Sequence, residues 1–157
     1  MHDGGARQET MIGNVRRAQW VRCALLVFIL AACARTPPEQ ALRQQVGALQ
    51  HAVEARDAAA IDGMLAADFI GNDGMDKSQA RRMAAALFIR YRNVGVSIGP
   101  LQLRMQGESQ AAVDFTAAAT GGDGALPDSG QLWHVKTGWR LDGSDWKLVS
   151  AEWKPKL

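Results

Sequence analysis

The sequence predicts an α+β domain in which about three amino-terminal helices pack on a long, bent antiparallel sheet. Three patterns lead there. Apolar residues recur at helical spacing from Leu42 to Tyr91, and they alternate at strand spacing from Val94 to Trp153. Turn-forming Gly, Asn, Asp and Pro residues fall where one period gives way to the other.

Leu42, Val46, Leu49 and Val53 make one apolar stripe of a first helix, with Gln44, Gln45, Gln50 and Glu54 on its wet side. A break at Arg56-Asp57 opens a shorter helix that turns Ile61, Met64 and Leu65 inward. Phe69-Ile70 predicts a short strand, ended by Gly71-Asn72-Asp73-Gly74. A third helix starts near Asp76 to Ser78, either of which can cap it, and turns Met83, Leu87 and Tyr91 to one side.

The rest reads as strands. Val94, Val96 and Ile98 alternate, then Leu101, Leu103 and Met105 alternate in the opposite phase. Gly99-Pro100 at the phase change predicts a bulge or sharp bend in one long strand. After the turn Gly107-Glu108-Ser109, a strand carries Ala111, Val113 and Phe115, and Thr120 to Gly130 reads as a loop rich in Gly, Asp and Pro. Trp133 to Leu141 and Trp146 to Trp153 form a terminal hairpin about Asp142-Gly143-Ser144-Asp145.

Residues 1–32 predict an address rather than a fold. Arg16, Arg17 and Arg22 precede the apolar run Ala24 to Leu30 and the small pair Ala31-Ala32, which is the order of a secretory signal peptide. The run is shorter than the ~20 residues that span a bilayer. Leu30-Ala31-Ala32-Cys33 resembles the lipobox of bacterial lipoproteins. That resemblance implies a diacylglycerol on the Cys33 sulfur and cleavage just before it; the alternative is an ordinary signal peptide with a chance cysteine. Residues 33–38 then form a lipidated tether reaching only ~15–20 Å, and 39–157 form the domain. Ala34 stands where a sorting aspartate would hold a lipoprotein in the inner membrane, so the expected address is the outer membrane, facing the periplasm.

Charge and cysteine content narrow the function. The chain has 18 Lys and Arg against 16 Asp and Glu, but the segment after residue 32 has 14 of each. A neutral domain offers no footprint for nucleic acid. Cys23 leaves with the signal and Cys33 takes lipid, so no disulfide is expected. His51 and His134, the histidines beyond the signal, have neither the spacing nor the cysteine partners of a metal site. Phosphate-loop, dinucleotide and Gly-x-Ser-x-Gly patterns are missing too, and neither metal nor cofactor is expected.

The order of elements resembles the nuclear transport factor 2-like superfamily, α+β cones in which a curved sheet wraps a long amino-terminal helix. The resemblance spans Glu39 to Lys156. It is carried by Arg56-Asp57 through Asp68-Phe69 and by Trp139-Arg140-Leu141 followed by Trp146-Lys147-Leu148-Val149. The superfamily includes ketosteroid isomerase, polyketide cyclases, dehydratases and non-catalytic binding domains. The isomerase sets an Asp base against an oxyanion hole of a Tyr and a protonated Asp. Asp73 falls on the base position, Leu49 on that of the Tyr and Thr137 on that of the acid. A base without oxyanion donors lacks the largest usual contribution to rate. Asp73 beside Gly74 also suits an ordinary turn, and His134 is the other candidate for proton transfer.

The tryptophans remain. Trp133, Trp139, Trp146 and Trp153 crowd the terminal hairpin. They suit a core, and equally an aromatic-lined mouth for an apolar ligand or a partner protein. Trp133, Trp139 and Trp153, with Tyr91, are the candidate binding residues. In a regular last strand Trp146 and Trp153 would face opposite ways, sending at least one tryptophan to the outer face, where domains of this fold often pair as homodimers. The favoured reading is a membrane-anchored lipoprotein, held to the bilayer through Cys33, that binds an apolar ligand or a protein without catalysis. The alternatives are an isomerase or dehydratase and an envelope inhibitor or immunity lipoprotein.

Overall fold

The computed structural model describes residues 36–122 and 129–156, and Pro37 onward forms one compact unit. Cys33 and the whole signal lie outside the described residues. No described helix is long and apolar enough to cross a membrane.

The first helix, α1 (Pro38–Glu54), starts with a proline in its first turn, where the missing N–H costs nothing. Leu42 and Val46 are buried from its stripe, as expected. It ends in a Schellman-type reversal: Arg56 adopts φ 56°, and the Asp57 N–H donates back to the Ala52 carbonyl. Asp57 then caps α2 (Ala58–Met64), accepting from the Ala59 and Ala60 amides. Leu65, read as helical, instead opens β1 (Leu65–Ile70), where it is buried beside Ala66 and Phe69. A short turn of 3-10 helix, Asn72–Gly74, leads to α3 (Lys77–Arg90), whose cap is Asp76 with Gln79 in a reciprocal capping box.

Five more strands complete a six-stranded sheet: β2 (Asn93–Ile98), β3 (Gln102–Gln106), β4 (Gln110–Gly122), β5 (Ser129–Asp142) and β6 (Asp145–Pro155). Their order is β1-β6-β5-β4-β2, with β3 also on β4. All neighbours are antiparallel except β1 on β6, so the sheet is mixed at one edge. The chain leaves β1 through α3 and returns only after four strands, which lays β6 beside β1 in the same direction.

The expected bend is present. β2 and β3 both pair with β4, but Ile98 faces Ala117 while Gln102 faces Asp114. Three residues, Gly99 to Leu101, thus oppose two, Phe115 and Thr116, and the extra one inverts the phase. The predicted loop Thr120 to Gly130 is shorter than read. Gly121 pairs with Ser129 and Thr120 with Gly130, while 123–128 lie outside the described residues.

A second bulge corrects the tryptophan reading. Gly138 faces Ser150 but Trp139 faces Leu148, which leaves Val149 without a partner. That one residue restores a common face to both halves of β6. Trp146 and Leu148 now share the concave side with Ala151 and Trp153, and no tryptophan of the hairpin is turned to the convex face. The core gathers on this side: Leu42 and Val46 of α1 meet Phe69, Val113, Trp139, Trp146 and Leu148.

Candidate functional site

The concave face does not close completely on α1. Beyond Trp139 it leaves a cavity of about 590 Å³, bounded by Leu49, Gln50 and Val53 of α1, by Leu87 and Phe88 of α3 and Tyr91 just after it, and by β2, β4 and β5. Strand alternation explains the lining. Phe115, Ala117 and Ala119 of β4 and Trp133, Val135 and Thr137 of β5 all fall on the inward phase. Tyr91 can enter this wall because Gly121 has no side chain: a Cβ there would stand 3.0 Å from the Tyr91 ring.

The described lining contains no carboxylate, imidazole, amine or guanidinium. Its polar groups are largely committed to the protein. Gln50 Nε2 donates to the Val96 carbonyl at 2.7 Å, tying α1 to β2. Thr137 Oγ1 donates to the Val113 carbonyl at 3.0 Å and accepts from Trp139 Nε1 at 2.9 Å. The hydroxyl on the acid position of the isomerases therefore has its only proton engaged, and Leu49 on the tyrosine position offers none. Both positions line the cavity. The oxyanion donors they would need are replaced by a methylated wall.

Of the candidate residues, Trp133, Trp139, Trp153 and Tyr91 meet in this one cavity. Trp139 is its floor, 2% exposed. Trp153 is held by a residue not singled out from sequence: Asn72 Nδ2 donates to the Trp153 carbonyl at 2.8 Å, and the Trp153 N–H donates to Asn72 Oδ1 at 3.1 Å. The side-chain amide thus takes the place of a neighbouring strand. An Asn between Gly71 and Asp73 reads in sequence as turn chemistry, which conceals this task.

Asp73 and His134 are elsewhere. Asp73 is exposed in the 3-10 turn with φ 57°, a conformation that Asp tolerates in turns. It borders an outer groove of about 580 Å³ and not the cavity. His134 lies exposed on the convex phase of β5, between Thr116 and Lys154. The convex face carries the charge that the cavity lacks. Asp114, Lys136 and Glu152 stand opposite one another across β4, β5 and β6, Arg104 pairs with Asp114, and Lys154 pairs with Glu152 at 2.6 Å. The Lys154 ammonium, first by hydrogen bond, holds Glu152 below its ordinary pKa. Among the described residues no group of three or more His, Cys, Asp or Glu side chains is placed to hold a metal ion.

Solved structures with this architecture give the cone its place. No family model and no curated protein matches the sequence. A Streptomyces avermitilis protein, described as a candidate dehydratase of the nuclear transport factor 2-like family, superposes with a TM-score of 0.65 at 19% identity, over 74% of this chain and 94% of that one. The fold is nuclear transport factor 2-like. A candidate scytalone dehydratase from Novosphingobium aromaticivorans gives 0.66 at 10% identity, over 76% and 84% of the two chains. A Bdellovibrio bacteriovorus structure gives 0.65 at 16% identity over 73% of this chain, which spans only 40% of that protein's length. Identities this low place the backbone of the nuclear transport factor 2-like domain and leave its chemistry to its own residues.

Proposed function

We propose that this protein is a membrane-anchored lipoprotein whose nuclear transport factor 2-like domain binds a small apolar ligand without transforming it. One observation carries the binding role: a cavity of about 590 Å³, within the range of small-molecule sites, is walled by aromatic and aliphatic groups, and its described lining holds no carboxylate, imidazole or amine, only the phenol of Tyr91. Proton transfer needs a group within about 3 Å of the reacting atom, and Asp73 and His134 are outside this cavity. The wall instead suits transfer of hydrocarbon from water, worth ~25 cal/mol per Å² of apolar area removed. The anchor rests on Leu30-Ala31-Ala32-Cys33 behind a basic and apolar leader.

Native mass spectrometry of the cell-derived protein tests the first part. The expected result is a co-purified apolar molecule at one per chain, removed by organic extraction. A ligand-free protein that takes up no added hydrophobe would refute it. The anchor is tested by Cys33→Ser, which should shift the protein from the membrane to the soluble fraction; unchanged membrane partition would refute lipid attachment.

A second copy of the chain is the partner that the convex face fits. Arg104, Asp114, Lys136 and Glu152 alternate in sign across the sheet. A two-fold axis along the strands sets each charge against its opposite. Sedimentation should report a dimer that weakens with salt and with Lys136→Glu.

A further inference from the structure

The third helix is the only one of the three described α-helices without a buried residue, and its exposed side has an unusual composition. None of its 14 residues is buried, while Met83, Leu87 and Ile89 are 38%, 44% and 85% exposed. Met83 and Leu87 are exposed, while Ala80, Ala84 and Phe88 on the side toward the domain are half-buried. Residues 77–92 hold five of the 14 cations beyond residue 32 and none of the 14 acids. Nine cations against 14 acids are left for the rest, so an otherwise acidic domain carries one basic face.

Four of those five cations are also unspent. Arg43, Lys77, Arg104, Arg140 and Lys154 each lie within ion-pair distance of an acid. Arg81, Arg82, Arg90 and Arg92 make no ion pair with any described residue; Arg82 touches only the Ser78 hydroxyl, and Arg90 stands over the Tyr91 ring. On a helix of 3.6 residues per turn, Arg82, Met83, Ala86, Ile89 and Arg90 share an arc of about 120°. All five are exposed, and the arc lies opposite Ala80, Ala84 and Phe88. Exposed apolar side chains flanked by unpaired arginines suit contact with the headgroups of an anionic bilayer.

We propose that α3 is a membrane-docking face, seated on anionic phospholipid through Arg82 and Arg90 with Met83, Ala86 and Ile89 entering the interface between them. Ile89, the most exposed large apolar side chain among the described residues, then has an apolar surrounding. The helix is set rigidly enough to dock as a unit. Asp76 and Gln79 close its first turn, and Arg56 donates to the Phe88 and Tyr91 carbonyls at its last. Because α3 also supplies Leu87 and Phe88 to the cavity wall, with Tyr91 just past its end, docking brings that wall to the headgroup plane. On the ligand-binding reading above, hydrocarbon chains of membrane lipids are then the ligand class closest at hand; the docking itself does not depend on that reading.

Amide hydrogen exchange tests the docking on the cell-derived protein, mixed with vesicles of phosphatidylcholine alone or of phosphatidylcholine with phosphatidylglycerol. Any tether is the same in both. The peptides spanning 77–92 should exchange at least about tenfold more slowly with the anionic vesicles than with the neutral ones. Peptides across the Asp142–Asp145 turn should not change. The pair Arg82→Glu and Arg90→Glu should abolish the difference with the far-ultraviolet spectrum unaltered, and Ile89→Ser should reduce it. Equal protection by both vesicles, or protection that survives the charge reversal, overturns the proposal. So does equal protection by soluble polyglutamate, which would assign the face to an acidic protein.

Discussion

The two faces of the sheet are built from the same strands and have opposite chemistries. On β5, Trp133, Val135, Thr137 and Trp139 face the cone, and His134, Lys136 and Arg140 face away from it. The concave face has Thr137 and Trp139 bonded to each other and to its backbone, and its space lined with rings and methyls. The convex face pairs charge with charge, Glu152 with Lys154 in water and the buried Asp114 with an exposed Arg104. The comparison shows where chemistry is available. A titratable group in this fold has to be placed inward to act on an enclosed ligand, and here the strand phase assigns every charge of the hairpin outward.

The largest effect should follow from emptying the concave face. Trp139→Ala removes a ring that is 2% exposed and the N–H that Thr137 Oγ1 accepts, so a loss of about 3–5 kcal/mol is expected in urea unfolding. A loss below about 1 kcal/mol would break the contrast between the faces. At the cavity rim, Trp153→Ala should weaken apolar-probe binding about tenfold with a smaller stability cost, since that ring is only half-buried. Asn72→Ala should reproduce part of that loss by releasing Trp153, and Asp73→Asn, one residue along, should not.

Convex-face changes should be smaller. Lys136→Glu puts three acids in a row with Asp114 and Glu152 and should cost up to about 1 kcal/mol, leaving probe binding intact. The smallest effect concerns pH. Asp68 is held below its ordinary pKa, first by its hydrogen bonds from Arg140. A depressed folded-state pKa contributes stability that is present above the unfolded value and lost as pH falls through the folded one. Arg140→Ala should therefore flatten the acid limb of stability below about pH 4 and change little at neutral pH.

Much of the architecture can be read from the sequence, because helix stripes and strand alternation are direct consequences of what each element buries. Leu42 and Val46 announce α1, and the phase change at Gly99-Pro100 announces the bend. The second bulge was legible by the same rule. Trp146 and Leu148, then Ala151 and Trp153, change phase at a spacing of three, but Val149 carries no Gly or Pro to mark it. Reading β6 as regular sent one tryptophan to the wrong face. The parallel pairing of β1 with β6 leaves no trace in periodicity, since an edge strand alternates the same way whichever direction its neighbour runs. Asp73 looked like a base only by alignment to a family position; its backbone conformation and exposure belong to the turn.

The central claim is that the cone holds an apolar molecule against Trp133 and Trp153. Titrating the protein with N-phenyl-1-naphthylamine while exciting tryptophan reads this directly. The account predicts saturable binding at one probe per chain, energy transfer from the ring pair, and loss of most of the signal in Trp133→Ala and Trp153→Ala. Linear, non-saturating uptake, or saturable binding that survives both substitutions, would contradict it.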